Sequence, residues 1–449
     1  MKLVFLLSLP AILSNLVDIV MSYIDASMVG SLGAQASASI GLISTTIWLF
    51  GGFCGSVGAG FSVQVAHLYG AKKKKEANDV LRQAFTACVI IGVILFGIGY
   101  GISHQLPIWL GGGADIVDDS RKYFQIYTFA LPIHMISVLV TSMLRCSGNM
   151  KTPSATYVAI CILDVIFNFF FIFPTREINV FGQQLTCPGM GFGVAGAALG
   201  TLAAWIIGTM YLVYYICFRS KGLRLTFRGR LLPEKKVLKK AWNIGSPIGM
   251  ERIISCAAQI TSTIIVAPIG TIAIAANSFG ITIESLCYMP GYGIADAATT
   301  LVGQSLGAKR NDLIRRFSII ALALGVGIMT VLGAVMYLLS PQLMTVMTPD
   351  IDVQKLTTQV LRIEAFAEPL FATAIVCYGI FVGMGKTLVP SIMQLGSIWL
   401  VRIPLAAIMA TTLGLKGVWI AMAIELCVRG TVMLIRLINK LKAKSIDTI

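Results

Sequence analysis

The chain has 449 residues, 56% of them hydrophobic and only 12% charged, with a mean hydropathy of +0.83. Soluble domains carry about twice that share of charge, so the composition excludes a soluble globular domain and describes a polytopic membrane protein. A net charge of +15 would suggest nucleic acid in a soluble chain; here the basic residues sit in short loops, which argues for membrane topology, and nothing aromatic or helical supports a nucleic-acid role.

Apolar runs near or above the ~20 residues that span a bilayer fall near 3–27, 38–66, 84–106, 123–145, 154–174 and 194–218, then near 243–266, 276–303, 317–340, 360–383, 391–412 and 417–438. The expected fold is an all-α membrane protein of twelve transmembrane helices in two six-helix lobes. The expected divisions are an N-terminal lobe over 1–218, a cytoplasmic basic linker over 219–240 and a C-terminal lobe over 241–449. Met1-Lys2 and the run from Leu3 to Leu13 resemble a signal-peptide core. Pro10 stands in register with Pro247 deep inside the chain, so the first segment reads as structural. The start is abrupt enough that an upstream start codon is an open expectation.

That register is a repeat. Pro10, Gly33 and Gly70-Ala71-Lys72 return as Pro247, Gly270 and Gly307-Ala308-Lys309, each 237 residues later. Pro132 in Phe-Ala-Leu-Pro and Pro369 in Phe-Ala-Glu-Pro share the offset. Duplication of half the chain is the economical reading. Asp25 is not duplicated; its counterpart is Ser262. The offset falls to 221 at Gly193-x-x-Gly196 and Gly414-x-x-Gly417, so the first half carries extra residues from Pro174 to Met190. That outer loop reads as a linker, with cover over an external mouth as the second reading.

Most of the 35 Lys and Arg fall on one side of the expected spans. They are Lys2, Lys72 to Lys75 with Arg82, Arg145 and Lys151, the nine residues from Arg219 to Lys240 that include Arg228, Lys309 to Arg316, Lys386, and Arg436 to Lys444. The positive-inside rule then places both termini in the cytoplasm, in an inner or plasma membrane. Six spans per repeat is an even number, so the halves enter from the same side and are related by a pseudo-two-fold axis along the membrane normal.

Ten cysteines form no Cys-x-x-Cys, and only Cys187 lies in a longer loop, so neither a disulfide framework nor a metal spacing is present. Gly51, Gly52, Gly55, Gly58 and Gly60 suggest close helix packing, with Gly51 and Gly55 as a small-xxx-small pair. Pro290-Gly291 suggests a kink. Gly385-Lys386-Thr387 lacks the glycine a phosphate loop needs at Ile380. Without a nucleotide site, transport would run on an ion gradient or passively. His67, His104 and His134 are scattered and read as interface residues, and no nucleophile or metal constellation supports an enzyme.

Acids inside spans are the main lead, because a charge at the bilayer centre costs roughly 3 kcal/mol and is usually functional. Asp18 and Asp25 are seven apart on the first helix, Asp164 and Asn168 four apart on the fifth, and Thr201 adds a hydroxyl on the sixth. If these faces meet they form a dry, oxygen-lined pocket that suits proton exchange at Asp25 or a desolvated Na⁺. In the second half Glu251-Arg252 reads as a neutralised pair, and Glu284 and Glu251 as candidates to face the central cavity. Asp296, Arg362, Glu364, Glu368, Arg402, Glu425 and Arg429 also lie in or near apolar segments and are expected to pair among themselves, Glu425 with Arg429 at i,i+4.

Leu9-Pro10, Asp25 with Val29-Gly30-x-x-Gly33, Gly70-Ala71-Lys72, Leu144-Arg145-x-x-Gly148-Asn149-x-Lys151-Thr152-Pro153, Gly193-x-x-Gly196-Ala197-Ala198 and Val302-Gly303-Gln304-x-x-Gly307-Ala308 together resemble the multidrug and toxic compound extrusion (MATE) family over essentially the whole chain. The resemblance implies two V-shaped lobes, alternating access, and export of cationic drugs against H⁺ or Na⁺. Its first-lobe cation site is similar to Asp25, the 164/168 pair and Thr201. The family pattern places Asn first and Asp second on helix five; here Asp164 precedes Asn168, which leaves the ion open. Some relatives carry an acid at the position of Phe371, and its absence argues against their second-lobe Na⁺ site. The expected function is a monomeric antiporter in the bilayer that needs no cofactor beyond the coupling ion. It would export amphipathic, cationic drugs or metabolites. The alternative is a flippase for a lipid-linked saccharide, which would need a wide basic cavity.

Overall fold

A computed structural model describes residues 2–180, 183–226 and 229–442; Arg228 and Lys444, and the side chains of Lys2 and Cys187, lie outside the described residues. The first six spans are α1 (Lys2–Gly30), α2 (Ala34–Gly70), α3 (Lys74–Ile102), α4 (Val117–Cys146), α5 (Lys151–Ile172) and α6 (Gly193–Arg219). The second six are α7 (Lys235–Ile269), α8 (Thr271–Gly307), α9 (Asn311–Met347), α10 (Ile351–Ala365 and Glu368–Gly383), α11 (Leu388–Leu413) and α12 (Leu415–Lys442). Among the described residues eleven helices are long and apolar enough to cross a bilayer, and the bent pair of α10 makes twelve.

Burial runs inside out, as lipid solvation requires. On α1 the small residues Ser8, Ala11 and Ser14 are buried with Val4, while Leu6, Leu9 and Leu13 point outward. Lipid tails solvate leucine as well as another helix does, so packing falls to small side chains that allow close approach.

The duplication appears in backbone geometry. Gly33 (φ +119°) and Gly270 (φ +123°) precede α2 and α8, and Lys72 (φ 61°) and Lys309 (φ 54°) follow them. Gly148 and Gly385 also pair, with φ 91° and 72°. At the shorter offset Gly193 (φ 56°) matches Gly414 (φ 59°). Tertiary contacts repeat as well. A Cβ at Gly249 of α7 would lie 3.2 Å from Ser56 Oγ of α2; one at Gly293 of α8 would lie 2.6 Å from Ile12 N of α1. These are the same crossing seen twice.

The crossings interlock the halves. The first turns of α1 put Val4, Leu7 and Ile12 into the apolar core of the second lobe. The first turns of α7 put Val237 and Ala241 into that of the first. Residues 223–226, after α6, are pinned to the first lobe: Leu223 and Leu225 are buried in its core, and Arg82 Nε donates to Thr226 O at 2.7 Å.

Three elements depart from the expected pattern. The extra residues of the first half form an antiparallel hairpin, β1 (Pro174–Val180) and β2 (Gln183–Met190), with the Arg176 guanidinium 4.0 Å from the Phe173 ring centroid. The two halves of α10 meet at 59° across Phe366-Ala367. Pro369 follows that break; it cannot donate back to Ala365, whereas its repeat mate Pro132 sits inside unbroken α4. The α11 helix widens into a π turn at Ile398–Arg402, just before Pro404.

The expected pairing of second-lobe charges is partly met. Arg429 Nε lies 3.1 Å from Glu425 Oε1, but the buried carboxylates of Glu364 and Glu368 have no hydrogen-bond partner among the described residues. Gly58 and Gly60 pack closely, against Val138 and the Ala241 carbonyl. Gly51 and Gly55, expected to pack as a pair, line the cavity instead: a Cβ at Gly51 would meet His134 Cε1 at 3.9 Å, and one at Gly55 nothing within 4 Å.

Candidate functional site

A cavity of about 1130 Å³ lies between the lobes. Its lining reaches Val29 and Ser37 at one end and stops at Val63 and Thr300 toward the other. Beyond that floor α2 and α8 cross. A Cβ at Gly70 would sit 1.9 Å from Gln304 O, and one at Gly307 would sit 1.8 Å from His67 O. Side chains of one lobe cap the backbone of the other at this crossing. Gln304 Nε2 donates to Cys146 O at 2.7 Å, Thr300 Oγ1 to Arg145 O at 3.3 Å, and His67 Nε2 meets Gly383 O at 2.8 Å. Arg145 of α4 and Asp296 of α8 form an ion pair beside them. The cavity is therefore closed at the end that carries most of the basic loops.

Asp18 and Asp25 share one face of α1 because seven residues make nearly two turns. On α5 the same spacing places Tyr157 and Asp164 on one face, with Asn168 a turn further. The two ladders meet in register. Tyr157 OH donates to Asp18 Oδ1 at 2.8 Å. Asn168 Nδ2 donates to Asp25 Oδ1 at 2.9 Å and to Asp164 Oδ2 at 3.2 Å. Thr201 of α6 lines the cavity with Asp25 and Asn168, and its hydroxyl donates to Ala197 O at 3.1 Å. Asp164 and Asn168 are fully buried. Asp164 Oδ1 and Asn168 Oδ1 have no hydrogen-bond partner among the described residues. Two carboxylates this close repel unless a proton or cation lies between them, and spare buried oxygens are the groups that would hold either. Gly200 of α6 lies under this group; a Cβ there would come within 2.1 Å of Asn168 Oδ1.

Asp25, Asp164, Asn168 and Thr201 thus come together as the sequence suggests, with Asp18 one rung below. Tyr157 was not singled out from sequence, although its heptad spacing to Asp164 was the available signal. His134, whose ring stands 4.5 Å edge-on to Trp205, lines the same wall.

The second-lobe candidates separate. Glu251 lines the cavity, where Oε1 accepts from Gln394 Nε2 at 2.7 Å and Ser255 Oγ at 2.9 Å. Glu284 does not face the cavity, contrary to expectation. It lies inside the second lobe within electrostatic reach of Arg402 and Arg429. The reason is packing: α8 is closed against Trp419 of α12 at Gly280 and against Met329 of α9 at Gly291, and its cavity-lining face begins at Tyr292. Phe371 lines the cavity with the Arg429 guanidinium 5.5 Å from its ring.

The family model MatE matches residues 10–170 and again 247–408. The chain belongs to the MATE family. The two matches begin at Pro10 and Pro247, so the family model finds the same duplication as the backbone angles. The chain is similar to the probable multidrug resistance protein NorM of Thermotoga maritima, 27% identical over 96% of this chain and 90% of the relative. The probable multidrug resistance protein YoeA of Bacillus subtilis is 24% identical over 92% of this chain and 88% of its own. A solved MOP superfamily transporter from Pyrococcus furiosus shares the fold with a TM-score of 0.91 at 21% identity, covering 99% of this chain and 97% of that one. As a MATE protein the chain is a multi-pass membrane transporter of small molecules and not an enzyme.

Proposed function

We propose that this MATE protein is an antiporter that exports amphipathic, cationic drugs or metabolites by alternating access, in exchange for H⁺ or Na⁺. The observation that carries the reading is the shared amide: one Asn168 nitrogen serves the carboxylates of Asp25 and Asp164. The coupling group is Asp25, which lines the cavity and shares the Asn168 amide with buried Asp164, so an ion arriving from the cavity meets it first. Asp164, Asn168 and Thr201 complete the pocket for a proton or for Na⁺. A charge entering this cluster changes the attraction between α1 and α5, and with it the packing of the first lobe. The named relatives, both called probable multidrug resistance proteins, support drug export. Acids on α1 beside Tyr157, Trp205 and Trp48 suit organic cations with aromatic bodies. A one-for-one exchange against a monocation moves no net charge and draws on the ion's concentration gradient, about 1.4 kcal/mol for each tenfold; each further net charge that enters down about 150 mV adds roughly 3.5 kcal/mol. The same reading places a monomer in the inner or plasma membrane with both termini and the closed floor on the cytoplasmic side.

The test is drug efflux from proteoliposomes under an imposed H⁺ or Na⁺ gradient. Asp25→Asn is expected to abolish gradient-driven efflux while drug binding persists. Coupled transport at the wild-type rate in that variant would overturn the assignment.

A further inference from the structure

Glu251 and Arg252 form the ion pair that adjacency suggests, but a loose one without a hydrogen bond. Glu251 takes its hydrogen bonds from Gln394 and Ser255, while Arg252 Nε stands 3.9 Å from Glu251 Oε2, beyond hydrogen-bond reach. The Glu251 side chain is 3% exposed and that of Arg252 is 36% exposed. The Arg252 stem crosses to the other lobe: its Cγ and Cδ would each lie 3.3 Å from a Cβ at Gly52 of α2. Its guanidinium carbon lies 5.5 Å from the ring of Trp48, and Arg252, Gly52 and Trp48 all line the cavity. The other cavity-lining arginines are committed elsewhere, Arg145 to Asp296 and Arg429 to Glu425. Among the described cavity-lining residues, Arg252 is the cation without a hydrogen-bonded carboxylate.

We propose that Arg252 is a specificity-determining residue, which suits the cavity to amphipathic aromatic molecules that carry a carboxylate as well as a cation. A guanidinium presents a planar fork that takes a carboxylate through two parallel N–H bonds, which lysine cannot copy. Trp48 beneath it offers the adjoining ring a stacking face. The cationic end of the same molecule faces Asp18 and Asp25 on α1, which line the cavity from the first lobe. Charge on both walls selects for charge of both signs in the guest, and a monocation leaves the Arg252 fork unfilled.

This inference rests on the transport reading, and a matched pair of dyes separates the two. The probes are rhodamine B, a zwitterion through its free carboxylate, and its ethyl ester, a monocation with the same rings. Binding is read by fluorescence polarisation on the full-length protein in detergent, and efflux in proteoliposomes under an imposed gradient. The expected result is that Arg252→Gln lowers the affinity ratio of acid to ester by about tenfold, the scale of one lost charge-assisted contact. Arg252→Lys, which keeps the charge but not the fork, is expected to recover part of that ratio. An unchanged ratio in Arg252→Gln, or equal loss for both dyes, overturns the proposal, since a merely structural arginine would not distinguish acid from ester. Wild-type protein that binds both dyes with the expected ratio but moves neither overturns the transport reading alone. Wild-type protein that binds neither overturns both.

Discussion

One amide nitrogen on α5 serves two acids, so the position of a single side chain decides whether Asp25 is joined to Asp164. Gly200 sets that position from below. A methyl group there would overlap Asn168 Oδ1 at 2.1 Å, and the neighbour cannot yield without turning its amide away from Asp25. Gly200→Ala is therefore expected to lower thermal stability, with overpacking costs of about 1–3 kcal/mol, and to reduce coupled efflux by about tenfold. Unfolding midpoints in detergent and proteoliposome efflux measure the two effects. A variant with wild-type coupling would show that the Asn168 amide need not hold this geometry. Sequence reasoning reached the pair Asp25 and Asn168 because the seven-residue spacing on α1 and the four-residue spacing on α5 are visible in one dimension. It placed Glu284 wrongly because burial against α9 and α12 depends on which neighbours a helix face meets.

At the scale of the helix, the second repeat shows what was given up. Across the 235 residues that separate Lys151-Thr152 from Lys386-Thr387, Asp164 and Asn168 correspond to Trp399 and Ile403; at the 237-residue offset Asp25 corresponds to Ser262. The stretch of α11 that would carry a matching site holds the π turn at Ile398–Arg402 instead. The floor crossing, by contrast, is kept in both repeats, by Gly70 on α2 and Gly307 on α8. A side chain at Gly307 has no room, because its Cβ would reach 1.8 Å from the His67 carbonyl. Gly307→Val is expected to pry this crossing apart and expose the cavity from the basic-loop end. Labelling of Val63→Cys by a membrane-impermeant maleimide from that side should rise severalfold. Gly41→Ala, where no atom lies within 4 Å, is expected to leave labelling unchanged. No change in the Gly307 variant would mean that the floor is sealed elsewhere.

For the whole molecule, the exchange of first turns between lobes means that neither half moves without sliding α1 and α7 against α8 and α2. Ser56 and Gly249 test this. A Cβ at Gly249 would lie 3.7 Å from Ser56 Cβ, within the span of a disulfide. In a background without the native cysteines, Ser56→Cys with Gly249→Cys is expected to cross-link on oxidation and to stop transport, with recovery on reduction. Full activity in the cross-linked protein would show that this crossing stays fixed while the cavity changes sides.

Composition alone determined the solvent, because a chain with so few charges cannot fill a water-facing surface. Recurrence of Pro10, Gly33 and Lys72 at one spacing determined the doubling, because residues that must adopt φ above zero or close contacts resist replacement by ordinary side chains. Tertiary structure alone decided that Asp164 Oδ2 and Asp25 Oδ1 share a donor, that Glu251 is satisfied by Gln394 from 143 residues away, and that Arg252 reaches across to Trp48. Periodicity reports which face a residue occupies. The partner met by that face depends on how twelve helices cross, and no spacing within a single helix records it.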